Sequence, residues 1–237
     1  MEKFVLIAQA RSGSTLLRQS LQAHPDIICH GEVLSRKWIN GLVPLRNPGV
    51  DRSPRGVVEL LMETRDNDIA GFLETNIYAF DAQAVGFKIV YEDLFMSERS
   101  DDIVSYIQST GLRVFHLIRG NPLAGLVSRK RMALFGVSHS DAPDTQREPV
   151  KEIEIPAREI NGYVRRQSGF RDKVNSLFPI AVNLRYEQIE PGFQAILDSL
   201  GVSDMPMEIK LKKMNKESLD SAVTNYDEVS EFDRELL

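Results

Sequence analysis

Cysteine is almost absent from this sequence, since Cys29 is the only one among 237 residues. A single cysteine excludes an internal disulfide and a cysteine-based metal cluster, and it fits a reducing compartment. No apolar stretch approaches the roughly 20 residues of a membrane span. The first apolar run, at 4–8, is also shorter than the core of a signal peptide and leads directly to Arg11. We therefore expect a soluble, unprocessed, cytoplasmic protein without a membrane span.

An excess of positive charge is lacking as well. The formal net charge is −5 and the pI is near 5.5, which argues against a general nucleic-acid binder but not against a small phosphorylated ligand. The sequence contains no internal repeat and no low-complexity tract. Its hydrophobic residues, 42% of the chain, suffice for one well-buried core. The sequence predicts a single domain over 1–237.

Short apolar runs that alternate with helical segments predict an α/β fold. The runs lie at 4–8, 85–90, 114–118 and 180–184, and helical character follows at 15–21, 101–109, 122–134 and 191–200. This alternation indicates a three-layer, P-loop-type fold in which helices flank a central parallel sheet. Ligands in such folds bind at the carboxyl ends of the strands. We expect Arg11, Tyr91 and Arg119 to lie at that edge.

Two stretches do not fit the alternation. Residues 35–67 contain Trp38, several arginines and a cluster of prolines and glycines, which predicts an inserted substrate cap. Residues 136–156 read as a mobile loop. Inserted loops of this kind commonly select substrates.

The segment 9–17 reads QARSGSTLL and joins the first strand to the first helix. Its small residues let backbone amides approach an anion, and the helix N-terminus directs partial positive charge at that anion. The Gly-Lys-Ser/Thr ending of a Walker A loop is missing. The segment therefore predicts a phosphate-binding loop, and the alternative is an ordinary strand-to-helix turn with Ser14 as the N-cap.

A second basic motif follows a later strand. Arg119 ends the apolar run, Pro122 suits the first position of a helix, and Ser128 lies about two turns along that helix. Arg119 and Ser128 could hold one anion together. The alternative is a surface arginine beside a solvated basic helix.

The two motifs together resemble the elements that bind 3′-phosphoadenosine 5′-phosphosulfate (PAPS) in the sulfotransferase superfamily. The likeness is greatest to its bacterial carbohydrate branch, the Stf0-like and Nod-factor-type enzymes. Further stretches of the chain resemble family elements at 21–32, at Gly86-Phe87-Lys88, at 184–187 and at Asn225-Tyr226-Asp227-Glu228.

The resemblance implies PAPS as the sulfuryl donor. The first loop would bind the 5′-phosphosulfate, with Arg11 where cytosolic family members have a catalytic lysine, and Arg119 and Ser128 would bind the 3′-phosphate. A basic C-terminal segment that includes Lys213 would fold over the nucleotide. The predicted donor-binding residues are thus Arg11, Ser12, Gly13, Ser14, Thr15, Leu16, Arg119, Ser128 and Lys213.

Sulfuryl transfer needs a base for the acceptor hydroxyl. Glu32 is the candidate, because Stf0-like enzymes are similar in having a glutamate at the corresponding place, and His30 is a rival. Lys88 interrupts an apolar strand, so it needs an anionic partner, either the donor or Glu32, unless it extends to the sheet edge. Arg11 would stabilise charge that builds up during transfer. No cluster of carboxylates or histidines suggests a metal, and we expect none.

The acceptor class follows only from the resemblance, which favours a carbohydrate hydroxyl over a lipid, a natural-product alcohol or a tyrosine. Two other functions stay open. One is a P-loop nucleotide kinase or NTPase, which would need the missing Walker lysine. The other is a nucleotide-binding protein without catalytic activity.

Overall fold

A five-stranded sheet forms the centre of the computed structural model, which describes residues 1–43, 55–135, 152–207 and 218–236. All four strand pairs are parallel, and the strand order is β2-β3-β1-β4-β5. The strands β1 to β5 are Glu2–Ala8, Ile27–His30, Ala84–Val90, Arg113–Ile118 and Val182–Arg185. The predicted α/β fold with a central parallel sheet is confirmed.

Ten α-helices lie within the described residues. In chain order, α1 to α10 are Ser14–Ala23, Arg55–Asn67, Ile69–Phe72, Tyr91–Phe95, Ser100–Thr110, Pro122–Phe135, Ala157–Leu177, Ile189–Leu200, Leu219–Ala222 and Tyr226–Val229. A π-helical turn at Leu73–Ile77 continues α3. None of these helices combines the length and the apolar character needed to cross a membrane.

The contacts divide the chain into two compact units. Unit 1 comprises Met1–Ile118 and Lys173–Glu208, and unit 2 comprises Arg119–Asp172 and Ile209–Leu237. The single domain, the cap at 35–67 and the loop at 136–156 stay predictions, and residues 44–54, 136–151 and Lys213 lie outside the described residues.

Unit 1 covers its sheet on both faces. Alternate residues of β1, including Phe4 and Leu6, join one core with Leu17 of α1 and with Phe193 of α8. Val5, on the opposite face of β1, is also fully buried, as the alternation of side chains along a strand requires. On that face, the Phe87 ring of β3 lies 6.3 Å from the Tyr78 ring, between centroids. Helices therefore flank the sheet on each side.

Unit 2 has its own hydrophobic core. Leu123 and Val127 of α6 pack with Ile160 and Tyr163 of α7. An isolated parallel bridge joins Ile153 to Val223. Ile153 is buried, so the end of the predicted 136–156 loop contributes to this core.

One sequence prediction about an element was wrong in part, and one helix was missed. The run at 180–184 gives β5 only from Val182, because Ile180 is 92% exposed and precedes the strand. Helix α7, with 21 residues, was not predicted at all.

Candidate functional site

The loop between β1 and α1 lies at the carboxyl edge of the sheet. The Gln9 amide donates to the Leu117 carbonyl of β4 over 3.2 Å, which fixes the start of the loop. The Ser12 amide then donates to the Gln9 carbonyl over 3.2 Å and closes a turn. Arg11 has a φ of 66° and Gly13 a φ of 78°, so two left-handed residues reverse the chain into the helix.

Helix α1 begins at Ser14 with Gly13 as its N-cap and without a side-chain cap. The interpretation of Ser14 as the N-cap is therefore wrong, because the left-handed turn is made one residue earlier. The Leu17 amide makes the first helical bond, to the Gly13 carbonyl at 3.0 Å. The amides of Ser14, Thr15 and Leu16 thus have no partner within the helix, and they fit an oxyanion.

Ser12 is fully buried within this loop. Its hydroxyl has no hydrogen-bond partner among the described residues. A buried hydroxyl without a partner costs about 1–3 kcal/mol. A ligand oxygen or a water at this point would remove that cost.

Two features require a glycine at position 13, its left-handed backbone and the ring of Tyr186 beside it. A Cβ added at Gly13 would lie 2.6 Å from the Cδ2 and Cε2 atoms of the Tyr186 ring. Tyr186 follows β5 directly, so the motif at 184–187 and the first loop meet in unit 1. The Tyr186 ring therefore packs directly against Gly13, and only a glycine leaves enough room for it.

We expect G13A to destabilise the protein more than G111A does. Both glycines have left-handed φ values, 78° and 65°, but a Cβ at Gly111 would meet no heavy atom within 4 Å. G111A should therefore lower the free energy of unfolding by about 1–2 kcal/mol for the backbone alone. G13A should add about 1–3 kcal/mol for the overlap with Tyr186. Urea unfolding of both variants measures this, and equal losses would contradict a tight contact with Tyr186.

Glu32, Lys88 and Thr15 form a second part of the site. The Lys88 ammonium lies 2.8 Å from Oε1 of Glu32 and donates to the Thr15 hydroxyl over 3.2 Å. The Lys88 side chain is only 7% exposed, whereas the Glu32 side chain is 29% exposed. The buried lysine therefore does not extend to solvent at the sheet edge, and it joins the loop after β2 to the first turn of α1.

The sheet register explains why these groups meet. Lys88 of β3 is the neighbour of Leu6 in β1, so its side chain points to the face that α1 covers. Glu32 follows β2, the strand next to β3. The Lys88 amide donates to the Gly31 carbonyl over 3.2 Å and extends this pairing beyond β2. Lys88 and Glu32 thereby reach the same end of the sheet.

Hydrogen bonds across the 31–41 loop hold the backbone of Glu32. The Gly31 amide donates to the Gly41 carbonyl over 2.9 Å, and the Asn40 amide donates to the Glu32 carbonyl over 3.2 Å. A Cβ at Gly31 would collide with the Asn40 carbonyl oxygen. The backbone of Glu32 is therefore fixed, and its carboxylate pairs with the Lys88 ammonium.

His30 lies on the face of the sheet opposite to the Lys88 side chain and is fully buried. Its Nε2 donates to the Ile77 carbonyl at 3.2 Å, and its Nδ1 accepts from the Val43 amide at 3.2 Å. Burial lowers the pKa of His30 to about 4, so the ring is neutral at pH 7. Both ring nitrogens bind the backbone, as expected of a structural histidine.

Tyr91 follows β3 and is also fully buried. Its hydroxyl donates to Nε2 of His116 at 2.5 Å, and Nδ1 of His116 donates to Oδ1 of Asn183 at 2.8 Å. The predicted edge residue Tyr91 thus belongs to a hydrogen-bond chain that links α4, β4 and β5.

Unit 2 carries the second predicted motif. Asn121 caps α6, since its Oδ1 accepts from the Ala124 amide at 2.8 Å, and Pro122 is the first helical residue. Arg119 and Ser128 are both half-buried. The capped turn places Arg119 just before α6 and Ser128 within it.

Asp233 joins the second motif to the C-terminal one, and the sequence did not single it out. Its carboxylate accepts from the Asn121 amide group at 2.7 Å and from the Tyr226 hydroxyl at 2.8 Å. Asn225 exchanges two hydrogen bonds with the backbone of Ile155, at 2.9 and 3.0 Å. The stretch at 225–228 therefore holds unit 2 together.

The predicted cap residues are only partly described. Arg36 binds Asp93, with 3.3 Å between its Nε and Oδ1, and donates to the Met96 carbonyl over 3.1 Å. This arginine is thereby tied to α4. No three metal-ligating side chains lie together within the described residues.

Comparison of the chain with known proteins gave similarities in structure only, since no family model and no curated protein sequence matches it. A sulfotransferase from Alicyclobacillus acidocaldarius overlays with a TM-score of 0.51 and 14% identity, over 91% of this chain and 87% of that one. Mouse sulfotransferase SULT7A1 complexed with PAP gives 0.43 and 11%, over 86% of this chain and 60% of that one. An unliganded sugar kinase from a Janibacter species gives 0.35 and 12%, over 86% and 96%. The TM-score of 0.51 for the Alicyclobacillus protein shows that this chain has the fold of that sulfotransferase.

Proposed function

We propose that this protein is a PAPS-dependent sulfotransferase that acts on a hydroxyl of a small acceptor, with a carbohydrate or glycoconjugate favoured. The observation that carries the proposal is the contact of buried Lys88 with Glu32 and with Thr15, in the first turn of α1. It brings a carboxylate and a cation to the end of α1 whose first backbone amides have no partner within the helix. The fold shared with a sulfotransferase supports it.

The proposed reaction is an in-line transfer. Glu32 takes the proton of the acceptor hydroxyl, whose oxygen bonds to sulfur as the bond between sulfur and the phosphate oxygen breaks. The products are a sulfate ester and adenosine 3′,5′-bisphosphate (PAP). Glu32 is exposed enough to meet an acceptor, whereas both nitrogens of His30 bind the backbone. We therefore assign the base to Glu32.

The remaining residues are proposed to bind the donor and to stabilise charge. Arg11 and the amides of the first turn of α1 would face the phosphosulfate, since preorganised donors stabilise developing charge without rearrangement. Lys88 would hold Glu32 beside this turn. Arg119 and Ser128 would bind the 3′-phosphate, and the basic segment around Lys213 would close over the nucleotide. The proposal includes a cytoplasmic location and requires no metal.

Thermal unfolding with PAP tests the proposal. A ligand at about 100 times its Kd stabilises the folded state by about 2.7 kcal/mol, which raises the Tm of a chain of this size by about 5–10 °C. We expect this shift with PAP and not with ATP and Mg²⁺. Arg119→Ala should remove the shift, and the surface variant Arg165→Ala should keep it. A shift with ATP and Mg²⁺ alone would replace the proposal with a kinase or NTPase.

A further inference from the structure

Unit 2 contains a cavity that none of the proposed catalytic or donor-binding residues lines. Its volume is about 420 Å³, and it is open to solvent. This volume is within the range of sites that bind small molecules. Its walls come from α6, from the residue before α7 and from the first turns of α7. The lining residues are Leu126, Arg129, Pro156, Arg158, Glu159, Gly162, Tyr163 and Arg166.

The charge of the cavity is positive. Three arginines line it, Arg129, Arg158 and Arg166, against one carboxylate, that of Glu159. Glu159 is already paired, since its Oε2 lies 2.8 Å from the ammonium of Lys130. Among the described residues, Arg158 and Arg166 have no ion-pair or hydrogen-bond partner. No described residue of unit 2 therefore neutralises the charge of Arg158 and Arg166.

The spacing along α7 aligns the arginines. Arg158, Gly162 and Arg166 follow one another at intervals of four, so they lie on one stripe of the helix. A Cβ at Gly162 would meet no heavy atom within 4 Å. Packing therefore does not require a glycine in the middle of this helix, where glycine is less favourable than alanine. The missing side chain keeps the space between the two arginines open.

Two apolar residues also border the cavity. Leu126 and Tyr163 are buried residues of the unit 2 core that border the cavity. Beyond Tyr163, one turn along α7, Gln167 is 8% exposed, and its amide nitrogen and oxygen lack partners among the described residues. Guanidinium groups bind oxyanions through paired hydrogen bonds. A ligand with an oxyanion at one end and a less polar body at the other matches these walls.

We propose that this cavity is a binding site for a small molecule of about monosaccharide size that carries a phosphate or sulfate ester. Arg158 and Arg166 bind the ester group, and the face formed by Leu126 and Tyr163 contacts the body of the molecule. The proposal stands on the cavity alone and does not depend on the proposed sulfuryl transfer. The ester group could also be the 3′-phosphate of a nucleotide, and the experiment separates the two sources.

Calorimetric titration with glucose 6-phosphate and glucose 6-sulfate tests the site. Glucose and inorganic phosphate serve as partial ligands, since each supplies only one part of such an ester. We expect one site per chain for the sugar esters, with weaker binding of either partial ligand. The double variant Arg158→Gln/Arg166→Gln should weaken ester binding at least about tenfold, through loss of two charged hydrogen-bond donors. Arg165→Gln, an exposed residue of the same helix outside the cavity, should leave it unchanged.

Gly162→Leu should block the site without unfolding the protein, because leucine favours a helix over glycine. Gly169→Leu is the matched control, since a Cβ there also meets no heavy atom within 4 Å and Gly169 does not line the cavity. PAP binding, where present, should persist in Gly162→Leu. Equal losses in the two leucine variants, failure of both sugar esters to bind, or displacement of the esters by PAP would each overturn the proposal.

Discussion

Glu32→Gln should lower kcat for sulfuryl transfer by about 10²- to 10⁴-fold, the range that positioned general bases contribute. Glutamine has the same shape and can still accept a hydrogen bond from Lys88, which lies 2.8 Å from the carboxylate. It cannot take a proton from an acceptor hydroxyl. The loss should therefore fall on kcat, measured under saturating donor with a panel of sugars, while the Tm shift with PAP is kept.

Glu2→Gln is the matched control, because Glu2 is exposed and begins β1, at the end of the strand opposite to the 9–13 loop. It should transfer at the rate of the unchanged protein. Transfer at that rate by Glu32→Gln would reject Glu32 as the base. Loss of PAP binding together with activity would instead make Glu32 a residue that supports the donor site.

The local part of the site was predictable from sequence. A buried strand, a glycine-containing turn and an amphipathic helix follow one another directly in β1, the 9–13 loop and α1. Apolar alternation and turn residues report such short-range structure. The need for a glycine at position 13 was not predictable, because it comes from the close approach of Tyr186, a residue far along the chain.

The limits of the sequence patterns are clearest at β5 and α7. Ile180 is apolar but 92% exposed, and hydropathy cannot show that a particular isoleucine lies outside the sheet. Helix α7 contains Gly162 and Gly169 in its interior, and glycine weakens the helical signal of a sequence. In the proposed ligand site, Gly162 keeps the cavity open although glycine is unfavourable within a helix. Function and helix propensity therefore favour different residues at this position.

The contact between Lys88 and Glu32 was one of the alternatives left open by the sequence. A lysine within an apolar strand signals a buried partner, but the pattern does not name it. The strand order settles the partner, since β2 lies beside β3 at the edge of the sheet. Asp233 gave no such signal, because an acidic residue near a chain end is usually solvated.

Lys88→Met should lower kcat by about 10²- to 10³-fold, the scale found when one preorganised donor is removed from an active site. Methionine fills a similar volume, and the Glu32 carboxylate that loses its partner is 29% exposed, so water can replace part of the contact. We therefore expect the fold and the PAP shift to persist. The combined variant, Glu32→Gln with Lys88→Met, decides how the two residues act.

If Lys88 acts mainly by positioning Glu32, the double variant should be no slower than the slower single variant, because each single change already disables the pair. If Lys88 instead stabilises the transferred group independently, the two losses should multiply. The short contact of Lys88 with Glu32 and its further hydrogen bond to Thr15 favour the first result. Values of kcat for the four proteins, at saturating donor and acceptor, measure the coupling. Multiplied losses would contradict a positioning role and leave Lys88 as a catalytic residue in its own right.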